Sequence, residues 1–256
     1  MKVGFAGSGN MAAALARGLR GHGDPGLPMA FADGGSGRAA QLAEELGGDR
    51  ADGLAELAQD CELIILAVKP KALAEAADGL SGFRGPLVSV LGATSAGDLG
   101  RAFPDAAVLR TMPNVAVEAG RGVICHAPPS DPAVVAPALE LLGGIATLVE
   151  LEEDLLDPAT AVMGCAPAYL ALACEALAAA GTEAGLDAEL STRLVGLTAA
   201  GTGELLTAQD PSDLQRAVAS PGGSTEAGLE ALEEHGAREA FGAAVTASLE
   251  RMAGRR

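Results

Sequence analysis

The sequence predicts an α/β fold, in which a domain built on a parallel sheet is followed by an all-helical domain. Short apolar runs alternate with helical stretches as far as about residue 150, which is typical of βαβ units. Beyond that point no strand-like run recurs, and alanine-rich helical stretches take over. We therefore place the first domain at residues 1–152 and the helical domain at residues 153–256.

The predicted strands are short runs of apolar residues. A continuous apolar run such as Leu63–Val68 is typical of a strand that is buried on both faces. The predicted strands are Lys2–Ala6, Met29–Ala32, Leu63–Val68, Leu87–Leu91, Ala106–Leu109 and Val123–Cys125. The predicted helices include Met11–Leu19, Arg38–Leu46, Ala159–Ala180, Ala188–Thr207, Glu226–Gly236 and Arg238–Ala253. A helical domain this apolar usually needs a partner to cover it, which predicts a homo-oligomer.

Composition argues against several classes of protein. A formal net charge of −17 and an aromatic content of 2% argue against a nucleic-acid partner. Cys61, Cys125, Cys165 and Cys174 form no CxxC pair, so we expect reduced thiols and no metal site. The chain begins without a signal-peptide layout, and the uncharged run Pro158–Cys174 is just short of a bilayer span. We expect a cytoplasmic protein with no membrane partner.

A glycine-rich turn, Gly7–Ala12, lies between the first predicted strand and the first predicted helix. This context is that of the dinucleotide-binding turn of a Rossmann domain. Gly7 permits the tight turn, Gly9 leaves room for a pyrophosphate, and Ala12 allows the helix to pack on the sheet. The free N–H groups of the helix start favour phosphate. The candidate cofactor-binding residues of this turn are Gly7, Ser8, Gly9, Asn10 and Met11.

The end of the second predicted strand carries the residues expected to read the cofactor's ribose. Asp33 lies 24 residues after Gly9, where an acidic residue accepts hydrogen bonds from the ribose diol of NAD. Ser36 and Arg38 follow in a glycine-rich loop and are suited to the 2′-phosphate of NADP. Asp33 is equally suited to capping its own loop. The choice between NAD and NADP therefore stays open.

Two further strand ends carry polar residues. Ligands of open parallel sheets lie at the carboxyl ends of the strands. Val68, Lys69 and Pro70 lie at the end of the buried strand Leu63–Val68, and Asn114 follows the strand that begins at Ala106. We expect all four residues beside the cofactor, although ordinary turn chemistry accounts for such residues equally well.

The segment Ser220–Thr225 is a second glycine-rich turn, placed at the start of a predicted helix. Its backbone N–H groups are suited to a small carboxylate. The hydroxyl groups of Ser224 and Thr225 have the alternative role of helix N-cap. Paired with the first turn, this segment indicates a reductase of a small carboxylate substrate.

Several motifs occur together in one order along the chain: GSGNMA at 7–12, AVKP at 67–70, RTMPN at 110–114, PAY at 167–169 and SPGGST at 220–225. The chain thereby resembles the pyrroline-5-carboxylate reductase family over nearly its whole length. The resemblance implies a Rossmann domain followed by a helical domain that dimerises by interleaving helices. It also implies hydride transfer from NAD(P)H to the C=N carbon of 1-pyrroline-5-carboxylate, giving L-proline in proline biosynthesis.

The resemblance assigns roles to the second turn. Thr225 and Ser220 are the implied catalytic residues, with Thr225 bonded to the ring nitrogen and helping to deliver a proton. Gly222, Gly223 and Ser224 are the implied substrate-binding residues around the carboxylate. Hydride transfer needs neither a metal nor a protein nucleophile, since the cofactor supplies the hydride.

The chain departs from the family pattern near the expected substrate. The departures are Cys165, Ala166, Val115, Glu226 and Leu54, which stand where serine, glycine, threonine, an apolar residue and asparagine are usual. They leave open a related cyclic imine as the substrate, and also a homologue that binds nucleotide with weakened catalysis. A 3-hydroxyacid dehydrogenase would need a lysine within Ala159–Ala180, and none is present. A coenzyme F420-linked dehydrogenase would lack the SPGG turn.

Overall fold

The computed structural model describes residues 1–254, which form two compact units. The first unit comprises Met1–Cys165 together with residues 249–254, and the second comprises Ala166–Ser248. The helical unit thus begins at the helix carrying Tyr169, after the last strand of the sheet. The division at residues 152 and 153 remains a prediction.

The first unit is built on one sheet of eight strands in the order β3-β2-β1-β4-β5-β6-β7-β8. The strands are β1 Val3–Ala6, β2 Met29–Ala32, β3 Asp49–Arg50, β4 Leu63–Leu66, β5 Pro86–Ser89, β6 Ala107–Pro113, β7 Gly122–His126 and β8 Ala146–Glu150. All neighbours pair in parallel except β6 and β7.

The predicted parallel sheet is confirmed, with one antiparallel pair that the sequence did not predict. The connection from β6 to β7 contains only the 3-10 turn Val115–Ala119, which is too short for a parallel crossover, so β7 returns antiparallel. Two strands were not predicted, because β3 is a charged pair of residues and β8 lies at the sheet edge with only partial burial.

Helices cover both faces of the sheet. They are α1 Asn10–Gly18, α2 Arg38–Leu46, α3 Leu54–Asp60, α4 Leu73–Gly79, α5 Ala96–Ala102, α6 Pro132–Gly143 and the short α7 Leu156–Ala159. Successive residues of β4 enter opposite cores: Leu63 and Ile65 pack in the core that contains α1, and Ile64 and Leu66 in the core that contains α3. Each such buried side chain contributes about 1.5–3 kcal/mol. The continuous apolar run is therefore explained by burial on both faces.

The second unit is entirely helical over its described residues. Its helices are α8 Ala166–Glu183, α9 Ala188–Leu206, α10 Pro211–Val218, α11 Ser224–Glu234 and α12 Ala237–Ala253, the last of which continues past Ser248, where the second unit ends. The predicted single helix Ala159–Ala180 is wrong at its start, where Thr160–Gly164 forms a π-helical turn. Pro167 then falls in the first turn of α8, where its missing N–H removes no intrahelical bond.

Helices α8 and α9 pack together but leave a wide apolar surface exposed. Ser191 Oγ donates to the Ala178 carbonyl at 2.8 Å, and a Cβ on Gly181 would lie 2.4 Å from that Oγ, so the two helices approach closely there. The exposed leucines of this pair are Leu170, Leu172, Leu177, Leu190, Leu194, Leu197, Leu205 and Leu206. One copy of the chain leaves this surface uncovered over the described residues, and the sequence predicts an oligomer that covers it.

The helical stretch Glu153–Glu183 is long and apolar enough, by length and composition, to cross a membrane. The uncharged run Pro158–Cys174, which the sequence predicts to be just short of a bilayer span, is only part of this longer helical stretch. One such stretch is weak evidence for a membrane span, since helices that pack within protein have the same composition.

Candidate functional site

The first glycine-rich turn connects β1 to α1 beside the end of β4. Gly7 has a φ of +102°, and a Cβ placed on it would lie 2.6 Å from the Ala67 carbonyl oxygen. Gly9 has an ordinary φ of −73°, and a Cβ there would meet nothing within 4 Å. Gly7 is therefore required by the fold itself, whereas the space beside Gly9 is open to a ligand.

The start of α1 has unsatisfied donors of the kind that bind phosphate. No side chain caps the helix, and its first turn holds no acidic residue. The N–H groups of Asn10, Met11 and Ala12 precede the first intrahelical bond, from the Ala13 N–H to the Gly9 carbonyl at 3.0 Å. Ser8 is 4% exposed, and its Oγ has no partner within the described chain. Orphaned donors beside an open space fit a bound pyrophosphate.

The loop after β2 is organised by the Asp33 carboxylate. Asp33 Oδ2 accepts from the Ser36 hydroxyl at 2.6 Å and from the Ala39 N–H at 2.9 Å, while Oδ1 accepts from the Gly35 N–H at 2.9 Å. Burial works to raise the pKa of Asp33, but these hydrogen bonds outweigh it and hold the pKa below its usual value. The loop-capping role foreseen for Asp33 is therefore the one that its contacts show.

The structure brings Arg38 to the first turn. Arg38 Nη2 donates to Asn10 Oδ1 at 2.7 Å, although the two residues are 28 positions apart in sequence. Both residues border a cavity of about 290 Å³ that Arg17, Glu45 and Glu118 also line. Arg17 donates to both oxygens of Glu45, at 2.7 and 3.0 Å, whereas the Arg38 guanidinium donates to a neutral amide.

The other two predicted strand ends differ in their contacts. Val68, Lys69 and Pro70 lie at the carboxyl end of β4, where Lys69 is exposed and precedes the 3-10 turn Pro70–Ala72. Asn114 is buried after β6, and its side chain accepts from the Val123 N–H at 3.1 Å and donates to the Met163 carbonyl at 3.3 Å. The Asn114 side chain thus joins β6, β7 and the π-helical turn, which is turn chemistry.

The second glycine-rich turn lies between α10 and α11. Gly222 has a φ of +73°, and the Gly223 N–H closes the turn by donating to the Ser220 carbonyl at 2.9 Å. The first intrahelical bond of α11 runs from the Ala227 N–H to the Gly223 carbonyl. The N–H groups of Ser224 and Thr225 therefore precede the helical ladder, as a carboxylate site at this helix start requires.

Glu226 already occupies one donor of this turn. Its Oε2 accepts from the Gly222 N–H at 2.6 Å. Thr225 is exposed, and the helix has no side-chain cap, so the N-cap role considered for Ser224 and Thr225 is not observed.

Sequence reasoning missed a charged cluster at the carboxyl edge of the sheet. Arg110, in β6, is 3% exposed and donates through Nη1 to Glu153 Oε1 at 3.1 Å, while its Nη2 lies 3.7 Å from Asp157 Oδ1. Glu153 Oε1 also accepts from the Ala96 N–H at 2.6 Å. The only signal in the sequence was an arginine within an otherwise apolar strand.

Comparison with known proteins agrees with this arrangement of elements and turns. Residues 153–254 match the family model described as pyrroline-5-carboxylate reductase dimerisation, and residues 2–91 match the model described as NADP oxidoreductase coenzyme F420-dependent. A pyrroline-5-carboxylate reductase of Synechocystis sp. is 37% identical over 202 residues, which cover 77% of this chain and 76% of that protein.

Solved structures of related proteins share the fold over the whole chain. The 1-pyrroline-5-carboxylate reductase of Streptococcus pyogenes has a TM-score of 0.86 and 27% identity, covering 98% of each chain. The pyrroline carboxylate reductase of Plasmodium falciparum, solved with NADP bound, has a TM-score of 0.85 and 26% identity over 100% of this chain and 98% of that one.

The fold and the β1–α1 turn define a Rossmann-type α/β protein with an appended helical unit. Within that class the chain belongs to the pyrroline-5-carboxylate reductase family.

Proposed function

We propose that the protein reduces 1-pyrroline-5-carboxylate to L-proline with a nicotinamide dinucleotide, as the last step of proline biosynthesis. The observation that carries the proposal is the pair of glycine-rich turns, each with free N–H groups at a helix start, in a chain of this family. The F420 model covers only residues 2–91, and α8 contains no lysine to serve a 3-hydroxyacid dehydrogenase.

In the proposed reaction the cofactor, when bound, supplies hydride to the C=N carbon. The protein binds the nucleotide phosphates at the N–H groups of Asn10 and Met11, with Ser8 Oγ as a further donor. The Ser224 and Thr225 N–H groups hold the substrate carboxylate, and the Thr225 hydroxyl bonds the ring nitrogen, which gains one proton as the amine forms. Ser220, Gly222 and Gly223 shape the turn. Since the substrate imine is already an electrophile, orientation and proton delivery suffice.

We propose NADPH as the preferred cofactor. The three donors on the Asp33 carboxylate leave it little capacity to accept bonds from a ribose diol. Arg38 supplies a cation at the same sheet edge, which suits a 2′-phosphate. The Plasmodium falciparum relative was solved with NADP bound, which supports the same choice.

We further propose that the protein is a cytoplasmic homodimer in which the exposed α8–α9 surface is covered by a second copy. The match of residues 153–254 to a dimerisation model supports this assembly. Light scattering on the eluted protein is expected to give about twice the chain mass of 25.3 kDa. A single-chain mass at micromolar concentration would contradict the proposal.

The activity is tested by following oxidation of NADPH and NADH on 1-pyrroline-5-carboxylate and on its six-membered homologue. Thr225→Val, which keeps the side-chain volume but removes the hydroxyl, is expected to lower kcat about 100-fold, and Thr225→Ser to restore most of it. Nucleotide binding without turnover of either imine would instead indicate a homologue that has lost catalysis. Faster turnover of the six-membered imine would assign a related substrate.

A further inference from the structure

The loop that follows β5, residues 90–95, is held in an unusual backbone conformation. Ala93 has a φ of +56° and is the one non-glycine residue with positive φ in the described chain. Such a conformation is strained for a residue that has a Cβ, and it persists only where surrounding contacts fix it. The loop is therefore held in place by contacts outside itself.

Glu153 provides contacts of that kind from a distant part of the sequence. Its Oε1 accepts from the Ala96 N–H at 2.6 Å, directly after the loop, and from Arg110 Nη1 at 3.1 Å. Arg110 lies in β6 at 3% exposure, so its position is fixed by the sheet. Glu153 thus ties the end of the loop to a rigid strand.

The loop and this ion pair border one cavity of about 510 Å³. Its lining includes Ala93, Thr94 and Ser95 from the loop, together with Arg110 and Glu153. The cavity lies beyond the carboxyl end of β5, where Arg110 of β6 pairs with Ser89, and β5 also pairs with β4. A Rossmann domain binds one mononucleotide on each half of its sheet, with β1–β3 forming one half and β4–β6 the other. Since the phosphates and the adenosine ribose are proposed at β1 and β2, the cavity lies in the other half of the sheet, which binds the nicotinamide half of the cofactor.

We infer that Glu153 is a positioning residue: through Arg110 and the Ala96 N–H it fixes the loop that bounds the reacting end of the bound cofactor. The inference rests on the proposed function, because it places the nicotinamide end of the cofactor beside this loop. Glu153 binds no atom of the cofactor in this assignment. It acts by holding the backbone of Ala93–Ser95 in position.

The test compares Glu153→Gln and Glu153→Ala with the matched control Glu152→Gln, which removes the same charge from an exposed neighbour. Gln keeps an acceptor oxygen but loses the ion pair, and Ala loses both, so kcat is expected to fall about tenfold and about 100-fold respectively. The KM for the imine and the Kd for ADP-ribose, which lacks only the nicotinamide ring of the cofactor, are expected to stay within twofold of wild type.

Three outcomes overturn the inference. One is a kcat for both Glu153 variants equal to that of Glu152→Gln. Another is a loss of ADP-ribose binding in proportion to kcat, which would indicate a merely structural role. The third is a wild-type protein that binds NADPH but reduces no imine, which would overturn the proposed function as well and is distinguishable by that wild-type result. Should Glu153→Ala fail to fold, Glu153→Gln alone decides.

Discussion

Glu226 and Gly222 form a hydrogen bond of 2.6 Å, in which the carboxylate of the first turn of α11 accepts from the backbone of the SPGG turn. A carboxylate of the protein thereby occupies a donor of the turn proposed to hold the carboxylate of the substrate. The family pattern has an apolar residue at position 226, which could not make this hydrogen bond.

Replacing Glu226 is therefore expected to tighten substrate binding. Glu226→Gln removes the competing charge, and the KM for 1-pyrroline-5-carboxylate is expected to fall about three- to tenfold, the range for a hydrogen bond of modest net strength. Glu230→Gln removes the same charge one turn along α11 and is the control. The KM for 1-pyrroline, which has no carboxylate, is expected to stay unchanged. An unchanged or higher KM for the carboxylate substrate would show that Glu226 only caps the helix.

Arg38 is expected to decide between the two cofactors. Its guanidinium donates to the Asn10 amide and pairs with no carboxylate among residues 1–254, so Arg38→Ala is expected to raise the KM for NADPH about tenfold or more while changing that for NADH less than twofold. Arg17→Ala removes a cation that borders the same cavity but is paired with Glu45, and serves as the control. Equal losses for NADPH and NADH would contradict the proposed 2′-phosphate contact.

Ser8 is expected to show opposite effects on stability and on binding. A buried hydroxyl without a partner costs about 1–3 kcal/mol, so Ser8→Ala is expected to leave the Tm of the unliganded protein equal or higher. The same change is expected to weaken NADPH binding about tenfold, since it removes a donor at the phosphates. Ser89→Ala, at a buried serine whose Oγ accepts from the Leu91 N–H, is expected to lower the Tm. A Ser8→Ala protein with a lower Tm and unchanged NADPH affinity would refute this account.

The two glycines of the first turn are expected to separate folding from binding. Gly7→Ala forces a side chain into positive φ and within 2.6 Å of the Ala67 carbonyl, which predicts a loss of about 2 kcal/mol or more in the free energy of unfolding. Gly9→Ala meets open space and is expected to cost less than about 1 kcal/mol, but to weaken NADPH binding at least about tenfold. Urea unfolding and NADPH titration of both variants measure the two effects. NADPH binding by Gly9→Ala as strong as that of the wild type would contradict the proposal that the pyrophosphate binds at this turn.

Cys61 is expected to be unreactive in the folded protein. Burial raises the pKa of its thiol to about 11, so at pH 8 only on the order of one molecule in a thousand carries the reactive thiolate. That fraction grows as the pH rises towards 11. Alkylation by iodoacetamide at pH 8, followed by mass spectrometry, is expected to be at least about 100-fold slower in the folded protein than in urea. Equal labelling rates in the two states would show that Cys61 is exposed by local opening.

Much of the fold followed from local patterns. The apolar runs located six of the eight strands, and the run Leu63–Val68 correctly indicated burial on both faces. Such patterns can be recognised in the sequence because a strand between two helical layers is buried on both faces and is therefore apolar along its length. The edge strands β3 and β8 are not buried on both faces, so their sequences need not be apolar and did not identify them as strands.

The sequence by itself determined the order of the elements, the two glycine-rich turns and the family, because each depends on residues close together in the chain. Only the tertiary structure decided what distant residues do to one another. It directed the Asp33 carboxylate to its own loop, brought Arg38 to Asn10, reversed β7 and joined Glu153 to Arg110 and Ala96. These outcomes depend on which side chains and backbone donors meet after folding, and spacing along the chain does not specify that.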